Sequence, residues 1–196
     1  GGNISYDSAN NTIYLLPGWG KNYFYTYDIS SDTWTRLSDS PTTIGYGGSS
    51  VVYDGYVYVQ AGANTAYFLR YNTEENSWDL PTRGIFEEPH IWNGNYYGFD
   101  SGASMAQDEN GSVYVVRGGV DTLFKKYDPE TGQSWELAEL PVGAVNGARI
   151  VYVAQENAIY YVTGDTIYTR RSNSRNNYFF KYDIATNAWE SLDNDL

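Results

Sequence analysis

One short pattern occurs four times in this chain. It reads YDISSDTW at 27–34, YNTEENSW at 71–78, YDPETGQSW at 127–135 and YDIATNAW at 182–189. The Tyr and the Trp are seven positions apart in three copies and eight apart in the third. An internal repeat with a period of about 20 to 50 residues is typical of solenoids and propellers. We therefore expect a set of similar structural units rather than one irregular fold.

Four short apolar runs make up each unit. In the second unit they are GGSSVVYD, YVYVQAG, AYFLRYN and SWDL, each bounded by Gly, Asn, Asp or Pro, which is typical of a β-strand. The sequence predicts four antiparallel strands per unit and an all-β fold. The units cover approximately 1–40, 41–81, 101–140 and 141–196 of one region, 1–196, with an inserted loop at 82–100.

Each unit has the same anchor residues at the same points. The second run ends at a glycine, which is Gly18, Gly62, Gly118 or Gly164. The third ends at a tyrosine, Tyr27, Tyr71, Tyr127 or Tyr182, and the next residue is Asp28, Asn72, Asp128 or Asp183. The fourth carries a tryptophan, Trp34, Trp78, Trp135 or Trp189. We expect the Asp or Asn side chain to accept hydrogen bonds from N–H groups two residues on. The tryptophans should pack against a neighbouring sheet, because one four-stranded sheet cannot bury them.

Small residues open each unit. Gly2, Gly48, Gly102 and Gly147 are expected to let the first strands lie close together, where side chains would not fit. Twisted sheets that pack face to face around crowded inner strands are typical of the blades of a β-propeller. The sequence therefore predicts four propeller blades.

These units resemble kelch repeats, whose pattern is Gly-Gly near the first strand, Gly after the second, Tyr-Asp after the third and a Trp soon after. The second unit resembles the pattern most, and the other three keep only part of it. Kelch propellers usually have more than four blades. The resemblance implies that the chain is part of a larger propeller or assembly, with the missing blades supplied by a longer chain or by self-association, unless four blades close on themselves.

Composition narrows the classes of partner and location. The net charge is −12, which disfavours nucleic acid and anionic membrane surfaces, and no apolar run is long enough for membrane insertion. Few lysines with many Tyr, Asn, Gly, Ser and Thr favour an extracellular or cell-surface location. The absence of Cys excludes disulfides and thiolate chemistry.

Two insertions interrupt the repeat and carry the candidate ligand-binding residues. The first, 82–100, contains His90, Trp92, Tyr96 and Tyr97, and the second, within 165–177, contains Arg170, Arg171 and Arg175. Both join strands at the same end of their blades, so they are expected on one face. Aromatic side chains there could stack on sugars or hold a peptide, and the arginines could bind carboxylate or sulfate. Alternatively, the aromatics cover a blade edge and the arginines pair with surface acids.

No catalytic constellation is evident. His90 is the only His and there is no Cys, which excludes the copper-radical chemistry found in some kelch-type enzymes, and we predict no metal site and no cofactor. The segments GWG (18–20) and RGG (117–119) are interpreted as turn glycines, and DSANN (7–11) and DENG (108–111) as turns rather than calcium ligands. We predict a non-catalytic recognition or structural module that binds a protein or glycan through the long-loop face. The alternatives are a carbohydrate-active enzyme with carboxylates at the channel mouth and a self-assembling building block of an extracellular structure.

Overall fold

The protein is an all-β chain built of propeller-type blades. The computed structural model describes residues 1–79, 85, 90–92, 95–164 and 178–192, and for 90–92 and 95–97 it describes the backbone alone. Four sheets have four antiparallel strands each, in chain order, and a fifth has two. This confirms the predicted four-stranded sheets. The described residues contain no α-helix, and none of them belongs to a helix that could span a bilayer.

The strand bounds are as follows. Blade 1 comprises β1 (Asn3–Asp7), β2 (Thr12–Leu16), β3 (Tyr25–Asp28) and β4 (Thr33–Arg36), and blade 2 comprises β5 (Ser49–Tyr53), β6 (Tyr56–Gln60), β7 (Phe68–Asn72) and β8 (Ser77–Trp78). The small sheet is β9 (His90–Trp92) with β10 (Asn95–Tyr97). Blade 3 comprises β11 (Ser104–Gln107), β12 (Val113–Val116), β13 (Phe124–Tyr127) and β14 (Ser134–Glu136), and blade 4 comprises β15 (Arg149–Val153), β16 (Ala158–Val162), β17 (Phe179–Asp183) and β18 (Ala188–Ser191), with a 3-10 turn at Ala154–Glu156.

The chain divides into two compact units, an N-terminal unit (Gly1–Asp100) and a C-terminal unit (Ser101–Leu196). In the N-terminal unit, blade 1 contributes the face containing Tyr14, Leu16 and Phe24 to a core that blade 2 completes with Val57, Val59, Leu69 and Tyr71. We call the first kind of face the trailing face of a blade, and the second, with Trp78, the leading face. The C-terminal unit repeats this packing, with Tyr114, Val116 and Phe124 on the trailing face of blade 3 and Ile159, Tyr182 and Trp189 on the leading face of blade 4.

The aromatic contacts between blades are the same in both units. The Phe24 ring lies 4.8 Å from Tyr71 and 5.1 Å from Trp78, and the Phe124 ring lies 5.0 Å from Tyr182 and 5.2 Å from Trp189. Edge and tilted arrangements of this kind add stabilisation beyond the buried area. The repeat therefore encodes the packing between blades as well as the blades themselves.

Two of the four repeat tryptophans do not pack in this way. Trp34 lies on the leading face of blade 1 and is 56% exposed. Trp135 is 44% exposed because the turn before it has one more residue, so that Trp135 pairs with Lys126, whereas Trp78 pairs with Tyr71. A one-residue shift moves a strand side chain to the other face of the sheet. The expectation that every repeat Trp packs against a neighbouring sheet is therefore wrong for these two.

The turns after the third strands are closed by side chains. Asp28 Oδ1 accepts hydrogen bonds from the N–H groups of Ser30 (2.8 Å) and Ser31 (3.0 Å), and Asn72 and Asp128 do the same in their blades. A second device was not predicted. The residue five positions after the repeat Tyr has positive φ in three blades, where it is Asp32, Asn76 or Asn187. Its Oδ1 accepts a hydrogen bond from the Tyr hydroxyl, with an oxygen-to-oxygen distance of 2.7 Å.

The glycines that open the units are offset by one residue from the predicted alignment. Gly102 and Gly147 have φ of 86° and 85°, and the glycine with the matching turn conformation in blade 2 is Gly47, at 75°, not Gly48. The residue after each glycine makes the same hydrogen bond: Gly48 N donates to Gly45 O, and Ala148 N donates to Val145 O. Gly47 is therefore equivalent to Gly147. Glycine is needed at these positions for a turn with positive φ. Close approach of neighbouring blades is a second reason at Gly102, where a Cβ would lie 2.2 Å from Val145 O.

Candidate functional site

Three loops at one end of the N-terminal unit are joined by backbone hydrogen bonds. Gly20 N donates to Ile44 O (3.0 Å) and Ile44 N donates to Lys21 O (2.9 Å), which ties the loop after β2 to the loop after β4. Gly45 N donates to Ala61 O (2.9 Å) and Ala63 N donates to Tyr46 O (2.8 Å), which adds the loop after β6. Paired backbone groups restrict the motion of loops, so side chains carried here are held in place before a ligand arrives.

Trp19 stands on the first of these loops in an unusual backbone conformation. Lys21 N donates to Gly18 O at 3.0 Å, and the two central residues of this turn, Trp19 and Gly20, have φ of 56° and 67°. Positive φ costs a residue with a Cβ about 1–2 kcal/mol. The Trp19 side chain is 92% exposed, so burial does not offset that cost. A strained, fully exposed tryptophan is an indication of a binding role.

Tyr46 and Trp19 line the same cavity. The cavity has a volume of about 380 Å³, and its other lining residues are Gly1, Gly20, Gly45 and Ala63. Tyr46 is 72% exposed. The lining residues without rings are all Gly or Ala, so the backbone forms the floor and the two aromatic side chains form the projecting parts. Such a site can receive a flat apolar surface and has room for a single sugar ring.

The C-terminal unit has the same loops without these aromatic residues. Val120 N donates to Ala144 O (2.8 Å) and Ala144 N donates to Asp121 O (3.0 Å), which matches the bonds of Gly20 and Ile44. In this register Gly119 stands at the position of Trp19, and Asn146 at the position of Tyr46. The turn after β6 has Ala63 at the Trp19 position, also with positive φ. The repeat therefore does not require a Trp there, and Trp19 and Tyr46 are additions to a common scaffold.

The lining of this cavity limits its chemistry. None of the six described lining residues carries a carboxylate, an imidazole or an amine on its side chain. Of the side chains that serve in general acid–base catalysis, the described lining offers the Tyr46 hydroxyl alone. The arrangement can bind through stacking, the Tyr46 hydroxyl and backbone groups.

The first insertion ends beside the hydrogen-bonded loops that carry Trp19 and Tyr46. Gly98 N donates to Asn64 Oδ1 (2.8 Å), Asn64 N donates to Phe99 O (2.8 Å) and Phe99 N donates to Thr65 O (2.7 Å). The insertion is thereby attached to the loop after β6, whose Ala63 lines the cavity. The end of the insertion and the aromatic cavity lie at the same end of the N-terminal unit.

The predicted ligand-binding residues fall in two groups. His90 and Trp92 lie on β9 and Tyr96 and Tyr97 on β10, with His90 paired to Tyr97 and Trp92 to Asn95, so this part of the expected loop is a β-hairpin. Their side chains lie outside the described part of the structure. Arg170, Arg171 and Arg175 lie entirely outside the described residues. The binding role of all seven stays a prediction.

In the part of the chain that the structure describes, the carboxyl groups whose pKa is shifted belong to turns and surface pairs. The pKa values of Asp128 and Asp183 are lowered mainly by hydrogen bonds from Thr131 and Thr186, and that of Glu156 mainly by Lys181, whose Nζ lies 2.5 Å from Glu156 Oε2. All three are lowered because hydrogen bonds and a neighbouring cation stabilise the charged form of each carboxyl group. The DSANN turn is closed by Asp7, whose Oδ1 accepts from Ala9 N at 3.0 Å, and the DENG turn by Asp108, whose Oδ1 accepts from Asn110 N at 3.0 Å. Within the described ranges, no three His, Asp or Glu side chains lie together as a metal site would require.

Comparisons with known proteins bear on the fold. No family model matches the chain, and no curated protein matches it in sequence. A solved structure described as "Structure of YjhT" aligns with 97% of this chain at a TM-score of 0.71 and 20% sequence identity. This chain spans only 64% of that structure's chain. At such low identity the likeness shows the fold alone.

Sequence reasoning missed Trp19 and Tyr46. The segment GWG was interpreted only as a turn because its glycines fit the repeat. The middle residue of this segment could have indicated the site. It is Trp19 in the first repeat, whereas the matching residue is Ala63 in the second repeat and Gly119 in the third. A large aromatic residue where the repeat has small ones indicates a role outside the repeat.

Proposed function

We propose that this protein is a non-catalytic glycan-binding module, and that the cavity between Trp19 and Tyr46 is its binding site. The observation that carries the proposal is the strained, exposed Trp19 beside the exposed Tyr46 on loops that are joined by backbone hydrogen bonds. The equivalent loops of the C-terminal unit have neither residue. The apolar face of a pyranose ring stacks on an indole, while its hydroxyl groups bond the phenol and the backbone.

The charge of the protein favours an uncharged sugar. The net charge is −12, and the described lining of the cavity carries no cationic side chain. Acidic sugars approaching this protein would be repelled at long range and would find no partner inside the cavity. We propose neutral pyranosides as the ligand class, with the hairpin of the first insertion extending the site beside the loop after β6.

The blades are proposed to be divergent kelch repeats, and the protein to act outside the cell or at its surface. The repeated Gly, Tyr-Asp and Trp positions support the first part, and the composition rich in Tyr, Asn, Ser and Thr with few lysines supports the second. Glycans are abundant ligands in that setting, which agrees with the site.

A glycan microarray with matched variants tests the proposal. The variants Trp19→Gly and Tyr46→Asn introduce the residues that the C-terminal unit has at the same positions, so the loops should keep their conformation. We expect the wild type to bind neutral glycans and each variant to lose affinity by about tenfold or more, equivalent to about 1.4 kcal/mol. Val120→Gly, in the equivalent turn of the C-terminal unit, should leave binding unchanged.

Two results would overturn this assignment. If the array shows no binding to neutral glycans, the module is not of this class. If binding is confined to sulfated or uronic glycans and is intact in Trp19→Gly, the site lies elsewhere, with the predicted arginines 170, 171 and 175 as the next candidates. Circular dichroism of each variant distinguishes lost binding from lost folding.

A further inference from the structure

A polar recess lies between blades 1 and 2 of the N-terminal unit. It has a volume of about 280 Å³ and shares no lining residue with the cavity of Trp19 and Tyr46. Blade 1 forms most of it, on the trailing face that blade 2 covers. Asp28 is the only charged residue in the described lining. Five threonines lie around it, which are Thr12, Thr26, Thr33, Thr35 and Thr73.

The position of Thr26 carries a cation in the other three blades. In each blade the residue at this position is paired with the Tyr of the second strand, and in blade 1 the pair is Thr26 with Tyr14. The residues at the Thr26 position in blades 2, 3 and 4 are Arg70, Lys126 and Lys181. Blade 1 therefore has a short hydroxyl side chain where the repeat has a long cationic one.

The acid at the position of Asp28 has such a cation beside it in blade 3. There Asp128 stands for Asp28, and Lys126 for Thr26. Hydrogen bonds from Thr131 are the main cause of the lowered pKa of Asp128, and the charge of Lys126 lowers that pKa further. In blade 1 the described lining of the recess supplies no cation, so the carboxylate of Asp28 faces the recess without one.

Short side chains keep the recess open. Thr26 and Thr35 are paired across β3 and β4, whereas the equivalent pair in blade 3 is the much larger Lys126 and Trp135. Threonines paired across strands can hydrogen-bond to each other. Thr26 Oγ1 does not, since it is buried and has no hydrogen-bond partner among the residues that the structure describes. Buried polar groups are normally paired, so the described chain leaves this hydroxyl unsatisfied.

The free acceptors of the recess fit an ammonium group. Asp28 Oδ1 accepts hydrogen bonds from Ser30 N (2.8 Å) and Ser31 N (3.0 Å), and within the described ranges Asp28 Oδ2 accepts none. A guanidinium binds a carboxylate through two parallel bonds and uses both oxygens. An ammonium has three donors on one atom, which can go to separate acceptors. Asp28 Oδ2 and the hydroxyl groups of Thr26 and Thr35 are three such acceptors on one face of the sheet.

We propose that this recess binds the primary ammonium group of a ligand, which takes the place of the cation that the other blades carry. Tyr14 also lines the recess and offers its ring for a cation–π contact, as Tyr160 does for Lys181 in blade 4, where Nζ lies 6.0 Å from the ring centroid. The net charge of −12 attracts cations to the protein. The proposal goes beyond the glycan site and does not depend on it.

Methyl NMR of protein labelled with carbon-13 at the threonine methyl groups tests the proposal. The probe is ethylamine at neutral pH, where it is protonated, with sodium chloride held at about 0.15 M to keep screening constant. We expect saturable shifts of the Thr26 and Thr35 signals in the millimolar range. Ethanol, which lacks the charge, and tetramethylammonium, which lacks the N–H donors, should shift neither signal. Thr26→Val assigns the Thr26 signal by its loss.

Three variants test the assigned roles. Asp28→Asn should keep the turn, because Asn72 closes the equivalent turn of blade 2 through the same two N–H groups. It should weaken ethylamine binding by about tenfold or more, since it removes a bond to a charged acceptor. Asp128→Asn makes the same change of charge in blade 3 and should leave the affinity unchanged. Thr26→Lys returns the cation of the repeat to the recess and should abolish binding.

The outcomes separate the proposal from its alternatives. A wild type without saturable shifts at the threonine signals overturns it, because the recess then holds water alone. Ethanol or tetramethylammonium binding as well as ethylamine overturns it too, as does unchanged affinity in Asp28→Asn. Where ethylamine binds as expected, tighter binding of Nα-acetyl-lysinamide assigns the ammonium to a lysine side chain, and equal or weaker binding assigns it to a small amine. Unchanged thermal unfolding confirms that each variant is folded.

Discussion

The indole Nε1 of Trp78 donates a hydrogen bond to the carbonyl oxygen of Ser38 at 2.8 Å, which joins the last strand of blade 2 to the loop that leaves blade 1. Trp189 makes the same bond to Ala138 at 3.0 Å in the C-terminal unit. The repeat Trp therefore has two roles where it is packed: its ring fills the space between blades, and its N–H satisfies a loop carbonyl of the neighbouring blade.

Trp78→Phe removes the N–H and keeps most of the ring. We expect the free energy of unfolding to fall by about 1–3 kcal/mol, the cost of leaving a partly buried acceptor without its partner. Trp135→Phe is the matched control, because Trp135 is displaced from the interface, and its effect should be within about 0.5 kcal/mol. Urea unfolding of both variants measures the difference. Equal losses in the two variants would contradict the assigned role.

Asn76→Ala tests the turn residue that joins blade 1 to blade 2. Asn76 Oδ1 accepts hydrogen bonds from the Tyr71 hydroxyl (2.7 Å) and from Ser38 N (2.9 Å). Asp32→Ala is the control, since Asp32 has a similar φ of 53° and accepts a hydrogen bond from the exposed Tyr27 hydroxyl of its own blade. Both lose a side chain suited to positive φ, so the difference reports the bonds at the interface. We expect Asn76→Ala to unfold with about 1–3 kcal/mol less free energy than Asp32→Ala.

Alkaline pH should destabilise the blade interfaces. Burial raises the pKa of Tyr71 to about 12, and burial together with the charge of Asp183 raises the pKa of Tyr182 to about 12. An unfolded Tyr titrates near about 10. Between these values the unfolded chain has lost protons that the folded chain keeps, so stability is complete below pH of about 10 and falls as pH rises toward about 12.

The slope of this loss can be measured. Each of the two tyrosines contributes up to about 1.4 kcal/mol per pH unit in that window. Urea unfolding at several pH values, with tyrosinate absorbance followed in parallel, gives the dependence. Tyr71→Phe should lower the slope, whatever it does to stability at neutral pH. A stability that is flat from pH of about 10 to 12 would contradict the burial of these hydroxyl groups.

Trp19→Gly is predicted to leave stability unchanged or to raise it by up to about 1.5 kcal/mol. Relief of positive φ returns about 1–2 kcal/mol, and the greater freedom of Gly in the unfolded chain takes back about 0.5–1 kcal/mol. The side chain is almost fully exposed, so little burial is lost. Thermal unfolding checks this. A large loss of stability would mean that Trp19 is held by packing and that its strain has a structural reason.

Much of the fold follows from the sequence because the repeat fixes strand number, order and turn positions. The displacement of Trp135 could also have been predicted, since the Tyr–Trp spacing is eight there and a one-residue shift changes the face. The exposure of Trp34 could not have been predicted, because the same residue type at the same spacing is packed in blades 2 and 4. Exposure depends on whether another blade covers the face, and the repeat pattern does not specify that.

The candidate site was the least predictable part. Insertions drew attention to residues 82–100 and 165–177, whereas Trp19 and Tyr46 occupy loops of ordinary length. Two structural features distinguish them. Trp19 has a φ of 56°, and a cavity lies between the loops of Trp19 and Tyr46, which are more than 20 positions apart in sequence. Neither property can be derived from the local pattern of residues.

Fluorine NMR of protein labelled with 5-fluorotryptophan tests the central claim most directly. The chain has six Trp residues, and the Trp19→Gly variant assigns the signal of Trp19 by its loss. On titration with a panel of neutral glycans, the account predicts that the Trp19 signal shifts with saturation, while the signals of Trp78 and Trp189, which are packed between blades, do not shift. A saturable shift confined to Trp92 of the hairpin, or no shift in any signal, would contradict the account.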